Sequence, residues 1–214
     1  MGGIFLGLRL GFLLYPVITL WVDNARWHYR TFIQKSDGKN ILLMDGEINM
    51  NIEEKMKKTI EIAEEALNNG EIPIAAIVYL GDDIISKSFT SEKKDKRYLV
   101  HAELKALMDA DLKEFSMKER REMQLFTTLE PCMMCLGAAM SFFIGEIYYS
   151  LEAPCDGAVS LAKQKWDKDS KEYPGYKLPA IYSGILRNES KQLFIKYKCI
   201  NENVPMFVKH LSSI

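Results

Sequence analysis

Apolar residues along 52-IEEKMKKTIEIAEEALNNG-70 fall at Ile52, Met56, Ile60, Ala63 and Leu67, one face of an amphipathic helix that Asn68, Asn69 and Gly70 close. The period then changes. The run 72-IPIAAIVYL-80 is apolar and β-branched, Gly81-Asp82-Asp83 is turn chemistry, and 84-IISKSF-89 follows as a second strand, so a hairpin is expected. A charged loop, 91-SEKKDKRY-98, separates it from 100-VHAELKALMDA-110, a helix beginning near His101. Residues 117–123 read as a charged helical turn and 124-QLFTTL-129 as a buried strand, and 132-CMMCLGAAMSFF-143 has helical character. A strand at 146-EIYYSL-151, a helix around 156–165, a Lys/Asp-rich loop through Pro174 and Gly175, a strand near 179-PAIYSG-184 and a helix from about Glu189 to Lys198 complete the pattern. Alternating strands and helices predict a layered α/β domain in which a hairpin opens a largely parallel sheet.

The N-terminus departs from this pattern. The run 4-IFLGLRLGFLLYPVITLWV-22 carries one charge, Arg9, and one proline, Pro16, and has the length of a minimal membrane span, with Arg26, Arg30 and Lys35 behind it. No basic segment precedes it and no small-residue cleavage site follows, which disfavours a signal peptide. Three readings stand open: a membrane contact through residues 4–22, an extension packed on the domain, or an upstream-extended reading frame whose ordinary start is Met50.

Composition narrows the class. The 214 residues, 48% hydrophobic and 27% charged, suffice for one well-buried domain and exclude a disordered chain. A net charge of −1 gives no global field for nucleic acid, so any such contact needs a local patch. Four cysteines, two of them isolated at Cys155 and Cys199, do not form a disulfide framework and fit a reducing, cytoplasmic compartment.

The candidate chemistry lies in His101, Glu103, Cys132 and Cys135. A Cys-x-x-Cys alone fits a redox dithiol or half a structural site as well as a catalytic metal. Two thiolates and one imidazole give three zinc ligands and leave a fourth position open, the mark of a catalytic rather than a closed structural zinc. Cys155, Cys199, His28 and His210 supply no second pair at structural spacing. Cys132 and Cys135 sit one turn apart at an expected helix start, where both sulfurs face one way and the helix N-terminus favours thiolates. Glu103 stands two residues beyond His101, placed to reach a water at the metal and shuttle its proton rather than to become a fourth ligand.

His101-Ala102-Glu103 followed by Pro131-Cys132-Met133-Met134-Cys135 resembles the zinc-dependent cytidine/nucleoside deaminase superfamily. Within it, 71-EIPIAAIV-78, 128-TLEPCMMCLGAA-139 and 183-SGIL-186 look most like bacterial tRNA-specific adenosine deaminases and their free-base relatives. The resemblance implies a three-layer α/β/α, cytidine-deaminase-like fold with a five-stranded mixed sheet, residues 50–200 forming the CMP/dCMP-type deaminase domain between an N-terminal extension (1–49) and a C-terminal tail (201–214). It implies one zinc per chain on His101, Cys132 and Cys135, Glu103 as the catalytic proton shuttle, Thr90, Ala102 and Pro131 at the substrate, and a homodimer. It implies hydrolytic removal of an exocyclic amine from a nucleobase, adenosine to inosine in tRNA first, and otherwise from a free base, nucleoside or nucleoside analogue. A non-catalytic zinc-binding interaction module is the reading from another class, and an intact Glu103 argues against it. The tRNA-editing pattern has an asparagine where this chain has Thr90, and small residues where it has the bulky 97-RYLV-100; a threonine hydroxyl replaces an amide only in part.

Other features carry two readings each. Lys93, Lys94, Lys96 and Arg97 flank the expected ligand and would meet phosphates, or form a solvated loop broken by Glu92 and Asp95. Glu130 either touches substrate or fixes a loop backbone. Met133 and Met134 read as core, Tyr148 and Tyr149 as one buried residue of a strand and one covering a helix or a partner surface, and Cys155 and Cys199 as inert small hydrophobes.

Overall fold

A computed structural model describes residues 50–166 and 175–211, together with the backbone of 17–23, 26–32 and 46–47. The chain divides into two compact units, Met1–Asn49 and Met50–Ile214. In the first, strands β1 (Val17–Asp23) and β2 (Arg26–Phe32) pair antiparallel with Val17 opposite Phe32, and β3 (Gly46–Glu47) joins β2. The end of the apolar run thus lies in a strand, as its β-branched Val17-Ile18-Thr19 favours; its residues 4–16 lie outside the described residues. Among the described residues, no helix is long and apolar enough to cross a membrane.

The second unit opens with α1 (Ile52–Asn68), started by a capping box in which Asn51 Oδ1 accepts from Glu54 N at 2.8 Å and Glu54 Oε2 accepts from Asn51 N at 2.9 Å. Strands β4 (Ala75–Leu80) and β5 (Asp83–Phe89) form the expected hairpin, turning at Gly81 with φ 59°, where a side chain would be strained. A four-residue helix α2 (Glu92–Asp95) stands where a loop was expected, and α3 (Ala102–Asp111) and α4 (Met117–Glu122) follow. Then come β6 (Met123–Leu129), α5 (Met133–Phe142), β7 (Glu146–Leu151), α6 (Val159–Lys165), β8 (Ala180–Tyr182), α7 (Arg187–Ile200) and α8 (Met206–Leu211). The loop expected between 166 and 175 lies outside the described residues.

The five strands lie in the order β5-β4-β6-β7-β8, antiparallel at β5/β4 and β4/β6 and parallel at β6/β7 and β7/β8, a mixed sheet. The two-residue period of β4 divides its side chains between the faces. Ala76 and Val78 meet Ala102 and Ala106 of α3 and Leu136 and Ala139 of α5, whereas Ala75, Ile77 and Tyr79 meet Met56 and Ala63 of α1 and Leu193 of α7. The result is three layers, helix, sheet, helix. Because β7 is covered on both faces, Tyr148 and Tyr149 are both buried although they alternate along the strand. Tyr148 belongs to a run of rings crossing four strands: Tyr79 edge-on to Phe126, Phe126 stacked on Tyr148 at 4.6 Å, and Tyr148 stacked on Tyr182 at 4.8 Å.

Two further features bear on the site. Lys55, buried on α1, donates to Gly81 O at 2.6 Å and Gln124 Oε1 at 2.9 Å and pairs with Asp82 at 3.2 Å, tying the helix to the hairpin turn. The segment read as a C-terminal tail instead forms α8, whose Val208 and Leu211 are buried with Leu129, Leu151, Phe194 and Tyr197 at the carboxyl ends of β6 and β7.

Candidate active site

Two helix starts converge at that end of the sheet. His101 is the N-cap of α3 and Cys132 the N-cap of α5, both in extended backbone, so each side chain leaves its helix at the end where backbone N–H groups are unpaired. Cys135 lies one turn into α5 and is buried. His101 Nδ1 is 3.6 Å from Cys132 Sγ and 3.6 Å from Cys135 Sγ, and the three donor atoms lie within 4.8 Å of one another, a group that could hold a metal ion. The other ring nitrogen, Nε2, stands 3.2 Å from Glu92 Oε1.

These groups set one another's protonation. The Cys135 contact, then the His101 contact, hold the Cys132 thiol well below its usual range. Cys132, then Glu92, push the His101 imidazole up. Cys135, beside the Cys132 thiolate and out of water, is raised. Glu103, 3% exposed on the first turn of α3, is raised by burial to about 7, so it can both hold and release a proton near neutrality.

A cleft joins the group to solvent. His101, Ala102, Glu103, Cys132 and Thr90 line it, while Cys135 lies behind them. Ile72, Ile74, Leu129 and Phe207 give it apolar walls, and Glu92 and Asp156 add carboxylates. Pro131 is buried outside this lining, its carbonyl accepting from Ala158 N at 3.0 Å. The Thr90 hydroxyl donates to Val100 O at 3.2 Å, which leaves it an acceptor rather than the two-way group of an asparagine. Of the bulky residues before His101, Val100 is buried, while Tyr98 and Leu99 are exposed at 89% and 63% and stand outside the cleft lining.

Glu130 fixes a loop and also lines the cleft: its carboxylate accepts from Ala153 N at 3.1 Å and Val159 N at 3.0 Å. Lys93 does not face the cleft. Its Nζ donates to Gly70 O at 3.0 Å and Asn201 Oδ1 at 3.2 Å and lies over the Tyr197 ring. Met133, the first residue of α5, is 51% exposed rather than core, and Cys155 and Cys199 are exposed thiols. Sequence reasoning missed Glu92, Asp156 and Phe207. Phe207 had a signal, since Val204, Phe207, Val208 and Leu211 recur at helical spacing. Glu92 was hidden among the cations of its own loop, and Asp156 stands in a turn with no periodicity to place it.

Residues 50–193 match the MafB19-like deaminase family. The chain is 29% identical over 140 residues to a tRNA-specific adenosine deaminase of Rickettsia bellii, covering 64% of this chain and 93% of that relative. It is 26% identical over 154 residues to the tRNA-specific adenosine deaminase of Bacillus subtilis, covering 70% and 94%. A structure solved in studies of A-to-I editing by tRNA:A34 deaminases is similar at TM-score 0.53 and 27% identity, over 64% of this chain and 96% of that one. The guanine deaminase of Nitrosomonas europaea shares the fold at TM-score 0.53 and 18% identity, over 70% of this chain and 85% of that one.

Proposed function

We propose that the chain, which belongs to the MafB19-like deaminase family, is a zinc-dependent hydrolytic deaminase that removes an exocyclic amine from a nucleobase. The observation that carries this reading is the convergence of His101 Nδ1, two cysteine sulfurs and the buried Glu103 on one cleft. The donor set suits zinc: bonds of about 2.3 Å to sulfur and 2.0–2.1 Å to nitrogen at tetrahedral angles place N and S about 3.6 Å apart, and both His101–cysteine distances are 3.6 Å.

Bound zinc supplies the Lewis acidity that lets water lose a proton near neutral pH. The chain's residues do the rest. His101, Cys132 and Cys135 would hold the ion, and the α5 N-terminus favours the thiolate forms. Glu103 accepts a proton from the water as its oxygen bonds to the ring carbon. It returns that proton to the amine nitrogen as the C–N bond breaks, so water is consumed and ammonia leaves. Ile72, Ile74, Leu129 and Phe207 shield the ring from bulk solvent.

Adenosine in tRNA is the first substrate to assay, because the relatives from Rickettsia bellii and Bacillus subtilis are tRNA-specific adenosine deaminases. A second reading, a free base or nucleoside, is favoured by the cleft: among the described residues its lining holds carboxyl groups at Glu92, Glu103, Glu130 and Asp156 and no lysine or arginine. A homodimer is the proposed assembly. Met108 on α3, Leu112 at its C-cap and Met133 on α5, helices that pack together, leave large apolar side chains exposed for a second copy to cover.

The test is ammonia release from tRNA, adenosine, cytidine, cytosine and guanine by zinc-loaded protein, with E103A as control. Release that survives E103A, or no release from any amino-heterocycle by zinc-loaded protein, overturns the reading.

A further inference from the structure

We propose that Glu92 is a positioning residue of the metal centre, acting through His101. The proposal rests on the zinc reading above and adds a residue that the His-Ala-Glu and Cys-x-x-Cys motifs do not contain. An imidazole that gives the Nδ1 lone pair to a metal must carry its proton on Nε2, and that N–H needs an acceptor when it is shielded from water. Glu92 Oε1 stands 3.2 Å from Nε2, with the two side chains 28% and 30% exposed. A carboxylate in that position selects the tautomer, fixes the ring about its Cβ–Cγ bond and makes Nδ1 a stronger donor.

The loop that carries Glu92 is braced for this task. Glu92 opens α2, and the Ser91 side chain does not cap that helix. Glu71, 2% exposed, takes the capping role from a distant part of the chain: its Oε1 accepts from Lys94 N at 2.7 Å and its Oε2 from Lys93 N at 3.1 Å. Ser91 Oγ instead bonds Asp95 Oδ2 at 2.6 Å and accepts from Lys105 Nζ of α3 at 2.9 Å. Thr90 N donates to Ile74 O at 3.0 Å and Ser91 N to Val100 O at 3.3 Å, so the loop is fastened to the residue before β4 and to the residue before His101. Lys93, the nearest cation in sequence, is drawn off to Gly70 and Asn201, leaving the Glu92 carboxylate to the imidazole. A solvated charged loop needs none of these bonds. Together they hold one carboxylate against the outer nitrogen of a ligand.

The experiment measures zinc dissociation constants by competition with a chromophoric chelator for wild type, E92A, E92Q and the exposed-site control K94A. Unfolding of each metal-stripped protein is followed in parallel. E92A should bind zinc about 10- to 100-fold more weakly, the usual loss when such an outer partner is removed. E92Q, which keeps an acceptor but not the charge, should fall between E92A and wild type, and K94A should match wild type. Metal-stripped stability should change little, which separates a role at the metal from a role in the loop. If E92A fails to fold, E92Q decides. Wild-type zinc affinity in the folded Glu92 variants overturns the proposal, and so does weakened zinc binding matched by equal loss of metal-stripped stability. A wild-type protein that takes up no zinc overturns the zinc reading instead.

Discussion

Gly157 lies against Glu130 so closely that a Cβ at position 157 would stand 2.4 Å from the Glu130 carboxyl carbon and 2.6 Å from Ala153 O. The same carboxylate holds the N–H groups of Ala153 and Val159 on either side of that turn. Glycine is therefore required for close approach here, independent of its backbone freedom. Gly157→Ala should destabilise the fold by ~1–3 kcal/mol, the cost of overpacking a site that cannot yield. It should also weaken zinc binding, because residue 157 bridges to Cys132. Urea denaturation and chelator competition measure the two effects, and a neutral variant would refute the tight fit.

Substitution of any one of the three candidate ligands should have the same outcome. His101→Ala, Cys132→Ser and Cys135→Ser each leave two donors where three stand within 4.8 Å. Each should lose stoichiometric zinc and all measurable deamination. Glu103→Gln should keep full zinc occupancy while deamination falls by at least ~100-fold, the contribution of a positioned proton carrier. Metal analysis beside activity distinguishes the two classes.

Glu103 also sets a pH dependence in metal-stripped protein. Burial raises its pKa from 4.5 to about 7, so between those values the folded chain keeps a proton that the unfolded chain has lost. That stabilisation is fully present below pH 4.5 and is lost as pH rises through about 7. It amounts to at most ~3 kcal/mol at 1.36 kcal/mol for each step of one in pKa. The difference in unfolding free energy between wild type and E103Q should therefore fall across this window. A difference that stays flat would show that burial does not hold the proton there.

Phe207 should affect substrate rather than fold. Val208 and Leu211 anchor α8 in the core, whereas Phe207 is half-buried and lines the cleft. Phe207→Ala should raise KM for a small amino-heterocycle about 2- to 10-fold, the scale of one aromatic contact, with little change in melting temperature. Steady-state kinetics on the best substrate of the panel checks this.

Lys55→Met should cost ~2–4 kcal/mol, below the full cost of breaking a buried pair because Asp82 retains 30% exposure. The loss arises because Gly81 O, Gln124 Oε1 and Asp82 together lose their shared donor. Guanidinium denaturation reads the change directly.

The layers, the hairpin and the cysteine pair of the candidate site were legible because each has a local signature: a helical period, a β-branched run with Gly81 at its turn, and Cys-x-x-Cys at a helix start. What escaped is long-range. Whether Tyr148 and Tyr149 share burial depends on β7 having helices on both faces, which no window of β7 records. Lys93 looked available to phosphate because its partners, Gly70 and Asn201, are 23 and 108 residues away. Glu92 looked like an interruption in a basic loop because the histidine it faces is reached through space. The α8 periodicity was visible, but only the fold brings Phe207 to a cleft built a hundred residues earlier.

His101 and Cys132 are each the residue at which a helix begins, 31 positions apart in the chain. An ion shared between them would close that stretch into a ring, and because the donors are gathered only in the folded chain, its binding energy would add to folding. The first-turn amides of α3 and α5 should then slow together in hydrogen exchange when zinc is added, as the two helix ends become one cooperative unit. The centre would thus be a fastener of the molecule as well as its reactive point.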